Sequence, residues 1–231
     1  MQLDILCVLS SYNRPTMIID AVKSVFKQTY KKWHLLIADD GSDYDVESTI
    51  SSIDGYDPTK VTLFRSDYEE REYSQITSYN RLASCITKAV EKNLIYSDLM
   101  CYLCDDDWYH RSWFRRAMDV FTSDLTANVV YGKLYYIHTD ESDKVTNPND
   151  FLFKTSFVDP SNNMDHNQFM HRSKFYRPWV AYDSPPDARY LNNLWVSTDK
   201  QGWLSLPLPV AYKRCHGFNA MSRKDYTKTC E

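Results

Sequence analysis

Glycine is scarce in this chain of 231 residues, which contains only five. They lie too far apart to build a GxGxxG fingerprint or a Walker loop, the glycine-rich turns that bind dinucleotides and nucleoside triphosphates. Rossmann-type and P-loop nucleotide binding are therefore excluded. Residues 5–20 contain no glycine. This argues against a sugar-phosphate nucleotidyltransferase, because such enzymes cradle a triphosphate in a glycine-rich N-terminal loop.

Long apolar runs and an excess of positive charge are also missing. No stretch approaches the roughly 18 apolar residues of a membrane helix, and residues 1–9 lack the basic flank and the length of a signal peptide. We therefore expect a cytoplasmic protein without a transmembrane segment, which leaves a peripheral membrane contact open. With 27 Lys and Arg against 31 Asp and Glu, the net charge is −4, which disfavours a nucleic-acid partner.

The few cysteines form no recognisable metal or disulfide framework. Cys101 and Cys104 make a CxxC pair, but no second pair and no nearby histidine completes a zinc site. They lie in the apolar run Leu99–Cys104, which predicts a strand whose alternation points the two side chains to opposite faces. Buried, reduced thiols are the interpretation that this favours.

The chain does contain a regular alternation of strand-like and helix-like segments. Apolar runs at 5–9, 33–38, 61–64 and 100–103 predict strands, and helical spacing of apolar residues marks 18–26, 76–90 and 113–121. This rhythm predicts an α/β fold with a mostly parallel central sheet flanked by helices.

The pattern changes from about residue 129. Residues 129–137 predict another strand, residues 138–186 are polar and irregular, and residues 187–202 predict a helix. Because no linker separates the halves, we expect a single domain over 1–231. Within it we expect a nucleotide-binding half (about 1–110), an acceptor and catalytic half (about 111–216) and a mobile tail (217–231).

Three polar clusters directly follow predicted strands: Ser10–Arg14, Asp39–Asp43 and Asp105–Asp107. Ligands of parallel α/β sheets bind beyond the carboxyl ends of the strands, so we expect the clusters to share one cleft. Each cluster alone is also compatible with ordinary turn chemistry, such as an Asx turn at Asp40 and Gly41. Three clusters at successive strand ends favour a binding site.

The acidic triplet Asp105–Asp107 is the most specific of these clusters. Consecutive carboxylates repel one another and need a counter-charge when they are partly buried. Carboxylate oxygens suit Mg²⁺ or Mn²⁺, and Mg²⁺ is usually held by one or two carboxylates together with phosphate oxygens. The alternative is a solvated acidic turn, although the apolar run before the triplet argues against full solvation.

Order and spacing of these stretches resemble the successive motifs of inverting family 2 glycosyltransferases, which have the GT-A fold. The likeness spans roughly residues 3–216 and is carried by Val8–Arg14, Leu36–Asp43 and Tyr102–Asp107. Asp165–Arg172 and Asp187–Tyr190 resemble stretches in the branch that makes bacterial spore-coat polysaccharide. The resemblance implies a metal-dependent, inverting enzyme of polysaccharide or glycan synthesis. Such an enzyme moves a sugar from a nucleotide-diphosphate sugar to a hydroxyl of a saccharide or other acceptor.

The resemblance also implies which residues bind the nucleotide. Tyr12 would stack on the nucleobase, with Ser10 and Arg14 near the base and phosphates. Asp39 would accept the base N–H, and Asp105 would bind the ribose side. Since a carboxylate at Asp39 can accept from a ring N–H of uracil, thymine or guanine but not of cytosine, a CMP-sugar is disfavoured. UDP or dTDP is the expected carrier.

The remaining implied roles concern the metal and the chemistry. Asp106 would ligate Mn²⁺ or Mg²⁺, Asp187 would be the general base, and Arg71 would add a basic contact. Cys104 stands where the family usually has the first acid of its metal motif, which would weaken metal affinity.

Several alternatives stay open at this point. Asp187 follows two prolines and also fits a plain helix N-cap. Among the histidines, His166, His171 and His216 are second-rank candidates for phosphate or metal contacts. A non-catalytic nucleotide-sugar-binding protein on the same fold is the competing function.

Overall fold

The structure is a computed structural model that describes residues 2–66, 78–139, 145–147, 164–180 and 186–215. Arg71, His216 and the expected tail lie outside the described residues. None of the helices that are described is long and apolar enough to cross a membrane.

The first half of the chain builds a parallel sheet with intervening helices. In order along the chain these elements are β1 (Ile5–Ser11), α1 (Met17–Phe26), β2 (Trp33–Asp39), α2 (Val46–Ser51), β3 (Val61–Arg65), α3 (Ser78–Asn93) and β4 (Leu99–Cys104). The strands lie in the order β3-β2-β1-β4, and every pairing among them is parallel. The predicted α/β fold is therefore confirmed. All seven residues of β1 are buried, as expected of a central strand covered on both faces.

The second half extends the same sheet with mixed strand directions. Its elements are β5 (Trp108–Tyr109), α4 (Trp113–Ser123), β6 (Val129–Thr139), β7 (Val145–Asn147), β8 (Phe169–Arg172), α5 (Pro186–Ser197) and β9 (Trp203–Cys215). Beyond β4 the order is β8-β6-β9-β5, with β7 paired to β6. The pairing of β6 with β9 is parallel, and the other pairings in this half are antiparallel. The sheet is thus parallel in its first four strands and mixed beyond them.

The sequence pattern did not predict the strands β8 and β9, and it placed the end of helix α5 too far along the chain. The strand β8 is only four residues long, and β9 contains Pro207 and Pro209, which cannot donate to a strand ladder. The ladder between β6 and β9 accommodates this with register shifts on either side of the pair Lys133 and Pro209. Helix α5 ends at Ser197 instead of residue 202, because Asp199 and Lys200 adopt φ values of 49° and 60°.

Helices cover both faces of the sheet. One apolar cluster packs α1, α2 and α4 against the sheet and includes Val22 and Phe114. The other packs α3 and α5 on the opposite face and includes Ile86 and Leu191. With both faces covered, the polar residues of β1, β2 and β4 concentrate at the edge where these strands end.

A buried histidine lies within the second apolar cluster. The Nε2 atom of His171 is 3.2 Å from the Tyr102 hydroxyl and 3.0 Å from the Tyr190 hydroxyl. Its Nδ1 atom is 2.9 Å from the carbonyl oxygen of Arg172. Burial lowers the pKa of His171 to about 4. The imidazole is therefore neutral, with Nδ1 donating and Nε2 accepting, which makes it a structural residue.

We predict that His171 makes the fold sensitive to acid. Between about pH 6.5 and pH 4 the unfolded chain binds a proton that the folded protein does not, so the free energy of unfolding falls as the pH drops. The full effect is about 3 kcal/mol for this shift. In urea unfolding at pH 7, 6, 5 and 4.5, H171Q should be less stable at pH 7 but lose less stability on acidification. Y190F keeps the buried imidazole and should retain the wild-type pH slope. Equal slopes in wild type and H171Q would contradict the assignment.

Candidate active site

The sheet register brings the three polar clusters together. Ser10 on β1 is aligned with Ala38 on β2 and with Cys104 on β4. The amide of Asp40 donates to the carbonyl of Ser11 at 2.9 Å, and the amide of Asp105 donates to the carbonyl of Ser10 at 3.1 Å. The segments that follow β1, β2 and β4 therefore meet at one edge of the sheet.

All three carboxylates of the acidic triplet are buried, with exposures of 3%, 7% and 1% for Asp105, Asp106 and Asp107. Asp105 accepts from the Tyr12 amide at 2.9 Å and from Arg14 Nη1 at 2.8 Å. Burial raises the pKa of Asp105 to about 6, although the charge of Arg14 opposes the shift. This carboxylate thus fixes the segment that follows β1.

Asp107 is held by the second half of the chain. Its carboxylate accepts from Asn167 Nδ2 at 2.5 Å and from the amide of Arg214 at 2.9 Å. The ammonium of Lys213 lies 3.4 Å away. Burial raises the pKa of Asp107 to about 8, and Lys213 opposes this. Asp107 is therefore a structural anchor for β9.

Lys213 is the shared counter-charge of two carboxylates. Its Nζ atom lies 2.6 Å from Asp165 Oδ2 as well as 3.4 Å from Asp107. Burial disfavours the charged forms of Lys213 and Asp165, but the attraction between them is the stronger effect. Lys213 therefore lowers the pKa of Asp165. The two carboxylates in turn raise the pKa of Lys213 well above its usual value.

Asp106, between these two anchored neighbours, faces Arg14. Arg14 Nη1 lies 2.7 Å from Asp106 and 2.8 Å from Asp105, so a single positive charge serves two carboxylates. The Asp106 carboxylate also has an oxygen within 4.8 Å of Cys104 Sγ and of an Asp107 oxygen. Asp106 thus shares its counter-charge with Asp105 and lies close to both Cys104 and Asp107.

An aromatic ring and a guanidinium form the other side of the site. The guanidinium carbon of Arg81 lies 5.0 Å from the centre of the Tyr12 ring. Arg81 Nε lies 3.3 Å from Asp40, whose other oxygen accepts from the Ser66 hydroxyl at 3.3 Å. This places an aromatic surface beside a positive charge at the ends of β1 and β2.

Asp39 and Ser10, both predicted to contact the nucleotide, have polar partners within the protein. The fully buried Asp39 accepts from the amide of Ser42 at 3.1 Å, and Arg65 Nε lies 3.7 Å away. This is the turn-capping geometry that the sequence also allowed. Ser10 is buried, with its hydroxyl 4.0 Å from the thiol of Cys104. For both residues, contact with a nucleotide stays a prediction.

Asp187 lies in the first turn of α5, where its carboxylate accepts from the Ala188 amide at 2.9 Å. Oxygens of Asp187 and Asp165 and a ring nitrogen of His166 lie within 4.8 Å of one another. His166 Nε2 in turn lies 3.0 Å from Cys104 Sγ. Asp187 is thereby connected to the acidic triplet through His166.

The donor atoms of this region fit a divalent cation. Cys104, Asp106 and Asp107 form one group with ligand atoms within 4.8 Å, and Asp165, His166 and Asp187 form another. Asp106 offers the carboxylate that Mg²⁺ and Mn²⁺ prefer, and the thiol and imidazole suit later divalent metals. Because Asp107 is saturated by protein donors, Asp106 is the better ligand of the triplet.

Sequence reasoning missed four residues of the site: Arg81, Asn167, Lys213 and Arg214. Lys213 and Arg214 lie on β9, and the prolines in this strand prevented its prediction from the sequence. Asn167 lies in a 3-10 turn, His166–Gln168, whose capping box between Asp165 and Gln168 was a readable local signal. Arg81 lies on helix α3, which the sequence did predict. Its position in the helix gave no signal that its side chain belongs to the site and is not simply exposed to solvent.

The glycosyl transferase family 2 model matches residues 7–177, which include the acidic triplet and the ends of β1 and β2. This chain belongs to glycosyl transferase family 2. Protein CgeD of Bacillus subtilis is 29% identical over 170 residues, covering 71% of this chain and 37% of that protein. The chain therefore matches only about a third of that relative's length.

Two solved structures of other proteins share the fold. The 1–349 fragment of S. aureus TarS in complex with UDP-GlcNAc superposes with a TM-score of 0.66 at 10% identity, covering 97% of this chain and 64% of that one. The mannosyltransferase PcManGT of Pyrobaculum calidifontis, in complex with GDP-Man and Mn²⁺, gives 0.62 at 13% identity, covering 98% and 59%. At such identities the likeness concerns the fold, and it confirms the expected GT-A architecture.

We predict that Lys213 is required for stability. K213M leaves the carboxylates of Asp107 and Asp165 buried without their cation, a change that typically costs about 3–5 kcal/mol. Chemical denaturation should show a loss of this order. As a control, K27M removes an exposed lysine of the same type and should change stability by no more than about 0.5 kcal/mol. A K213M variant as stable as wild type would show that the ion pairs contribute little.

Proposed function

We propose that this family 2 glycosyltransferase moves a sugar from a nucleotide-diphosphate sugar to an acceptor hydroxyl with inversion at the anomeric carbon. The observation that carries the proposal is the position of Asp106. Its carboxylate is paired with Arg14, two residues after Tyr12, and has an oxygen within 4.8 Å of Cys104 Sγ, which contacts His166 in the cluster with Asp187. A donor extending from Tyr12 to Asp187 would place its diphosphate at the triplet and its sugar toward Asp187.

The nucleotide side of the proposal rests on the Tyr12 surface. Its ring can stack on a nucleobase, and base–aromatic stacking contributes about 1–3 kcal/mol. Arg81 and Arg14 bring positive charge to the same edge, which suits a diphosphate. The relatives with solved structures were bound to UDP-GlcNAc and GDP-Man, which supports a nucleotide-diphosphate sugar as donor. We propose UDP or dTDP as the carrier.

Metal dependence follows from the charge of the triplet. A departing diphosphate brings further negative charge to a place that already holds three carboxylates. A divalent ion bound through Asp106 would neutralise charge on the leaving diphosphate. The structure of PcManGT in complex with GDP-Man and Mn²⁺ supports a role for a divalent metal here.

The chemical step uses one base and one displacement. The acceptor oxygen forms a bond to the anomeric carbon while the bond from that carbon to the diphosphate oxygen breaks. The hydroxyl proton passes to the carboxylate of Asp187. A single displacement inverts the configuration, and no second carboxylate is needed as a nucleophile, in contrast to retaining glycosidases.

Base selectivity tests the nucleotide side. We predict that UDP or dTDP raises the thermal melting temperature and that CMP does not, because Asp39 accepts from a ring N–H that cytosine lacks. D39N should lose part of this preference, whereas D45N, an exposed N-cap residue of α2, should keep it. Equal stabilisation by CMP in the wild-type protein would remove Asp39 from base reading.

A conservative variant of Asp187 tests the catalytic side. Asp187 lies in the first turn of α5, after its N-cap position, and Asn has nearly the same shape as Asp, so D187N should keep the fold and the nucleotide affinity. Loss of the base should lower transfer about 10²–10⁴-fold, with donor hydrolysis as a proxy before an acceptor is known. D199N, just after the same helix, should behave like wild type. If D187N transfers normally, Asp165 and His166 are the next candidates for the base. A wild type no faster than D187N with several donors would favour a binding protein without turnover.

A further inference from the structure

The metal motif of this chain carries a thiol, and the fold brings an imidazole to it. Cys104 directly precedes the acidic triplet, and its Sγ atom lies 3.0 Å from Nε2 of His166, 62 residues away. The sequence offered no histidine near the CxxC pair, so this contact exists only in the folded chain. A thiol and an imidazole at this distance are two donors that one metal ion can engage together.

Negative charge surrounds the same point. Ligand oxygens of Asp106 and Asp107 lie within 4.8 Å of Cys104 Sγ. On the other side, oxygens of Asp165 and Asp187 lie within 4.8 Å of a His166 ring nitrogen. Of these four carboxylates, Asp107 and Asp165 share Lys213. A cation placed at Cys104 and His166 would thus be surrounded by acceptors on both sides.

We propose that the metal ion of this site is bound by Cys104 and His166 together with Asp106, and that the site therefore selects Zn²⁺ or Co²⁺ over Mg²⁺. The inference depends on the proposed function only for the role of the ion in the reaction; the ligands themselves are inferred independently of it. Thiolate and imidazole ligands favour borderline and softer metals, whereas Mg²⁺ takes oxygen ligands in a near-octahedral shell. A Cys104 thiolate and the His166 imidazole beside the Asp106 carboxylate thus determine which metal is bound.

Another interpretation of the pair is a cysteine nucleophile with a histidine base. His166 Nδ1 lies 3.4 Å from Asp165, so the three side chains have the order of a Cys-His-Asp triad. The carboxylates of Asp106 and Asp107 beside the thiol oppose a free thiolate, which a nucleophile requires. They favour a metal-bound thiolate, since the cation offsets their charge. On binding, the S–H bond breaks, the sulfur–metal bond forms, and the proton passes to the buffer.

Cobalt spectroscopy tests the proposal without any activity measurement. Co²⁺ bound by a thiolate gives a near-ultraviolet sulfur-to-metal charge-transfer band. The background should be C215S/C230S. It removes Cys215, which is only partly buried, and Cys230, which lies outside the described residues. In this background Co²⁺ should produce the band and release a proton, Zn²⁺ should abolish the band, and excess Mg²⁺ should not.

Two variants assign the band to its ligands. Adding C104S should abolish it, and H166Q should weaken Zn²⁺ affinity by about 100-fold or more, since even losing an outer-shell partner typically costs 10–100-fold. The buried core thiol offers the matched control, because C101S should keep the band. If calorimetry shows Co²⁺ bound to the folded background protein and no band appears, the proposal is wrong. That result requires no variant to fold. Failure of UDP to bind would instead contradict the proposed function and leave the cobalt result standing.

Discussion

Three consecutive buried carboxylates are the constraint on which the rest of this molecule depends. The outer two have different partners: Asp105 is held by Arg14 and a backbone amide, and Asp107 by Asn167, Lys213 and the amide of Arg214. Anchoring the outer two positions the middle one. Because the cost of burying a charge is large unless it is paired, the triplet can lie at the end of β4 only if distant segments bring donors to it.

This requirement links the two halves of the chain. Arg14 comes from the segment after β1, whereas Lys213 lies 199 residues later on β9. The parallel strands β1, β2 and β4 place the residues that we propose to bind the nucleotide, and β9 returns beside β6 to supply the counter-charge. The 3-10 turn at His166–Gln168 connects both, because Asn167 reaches Asp107 while His166 reaches Cys104. The second half thus completes the site.

The sequence predicted the first half of the fold well, and the physical reason is local. Buried parallel strands are short apolar runs, and the polar segments after β1, β2 and β4 stand out against them. The triplet was found in this way, whereas the role expected of Asp187 came from the family resemblance. Strand β9 was missed because Pro207 and Pro209 weaken its pattern, and with it Lys213 and Arg214. The contact of Cys104 with His166 was missed because it depends on tertiary structure. For Asp39 the sequence left two roles open, because an aspartate at this position fits both a turn cap and a contact with the nucleobase.

The most direct test of the account is a crystal structure with UDP and Mn²⁺, using anomalous diffraction at the manganese edge. The account predicts the uracil ring against Tyr12, the diphosphate at the triplet, and a manganese peak within coordination distance of the Asp106 carboxylate. It also predicts that Arg14 no longer bridges Asp105 and Asp106 in the same way, because the metal supplies that charge. A manganese peak elsewhere, or UDP bound away from the ends of β1 and β4, would contradict it.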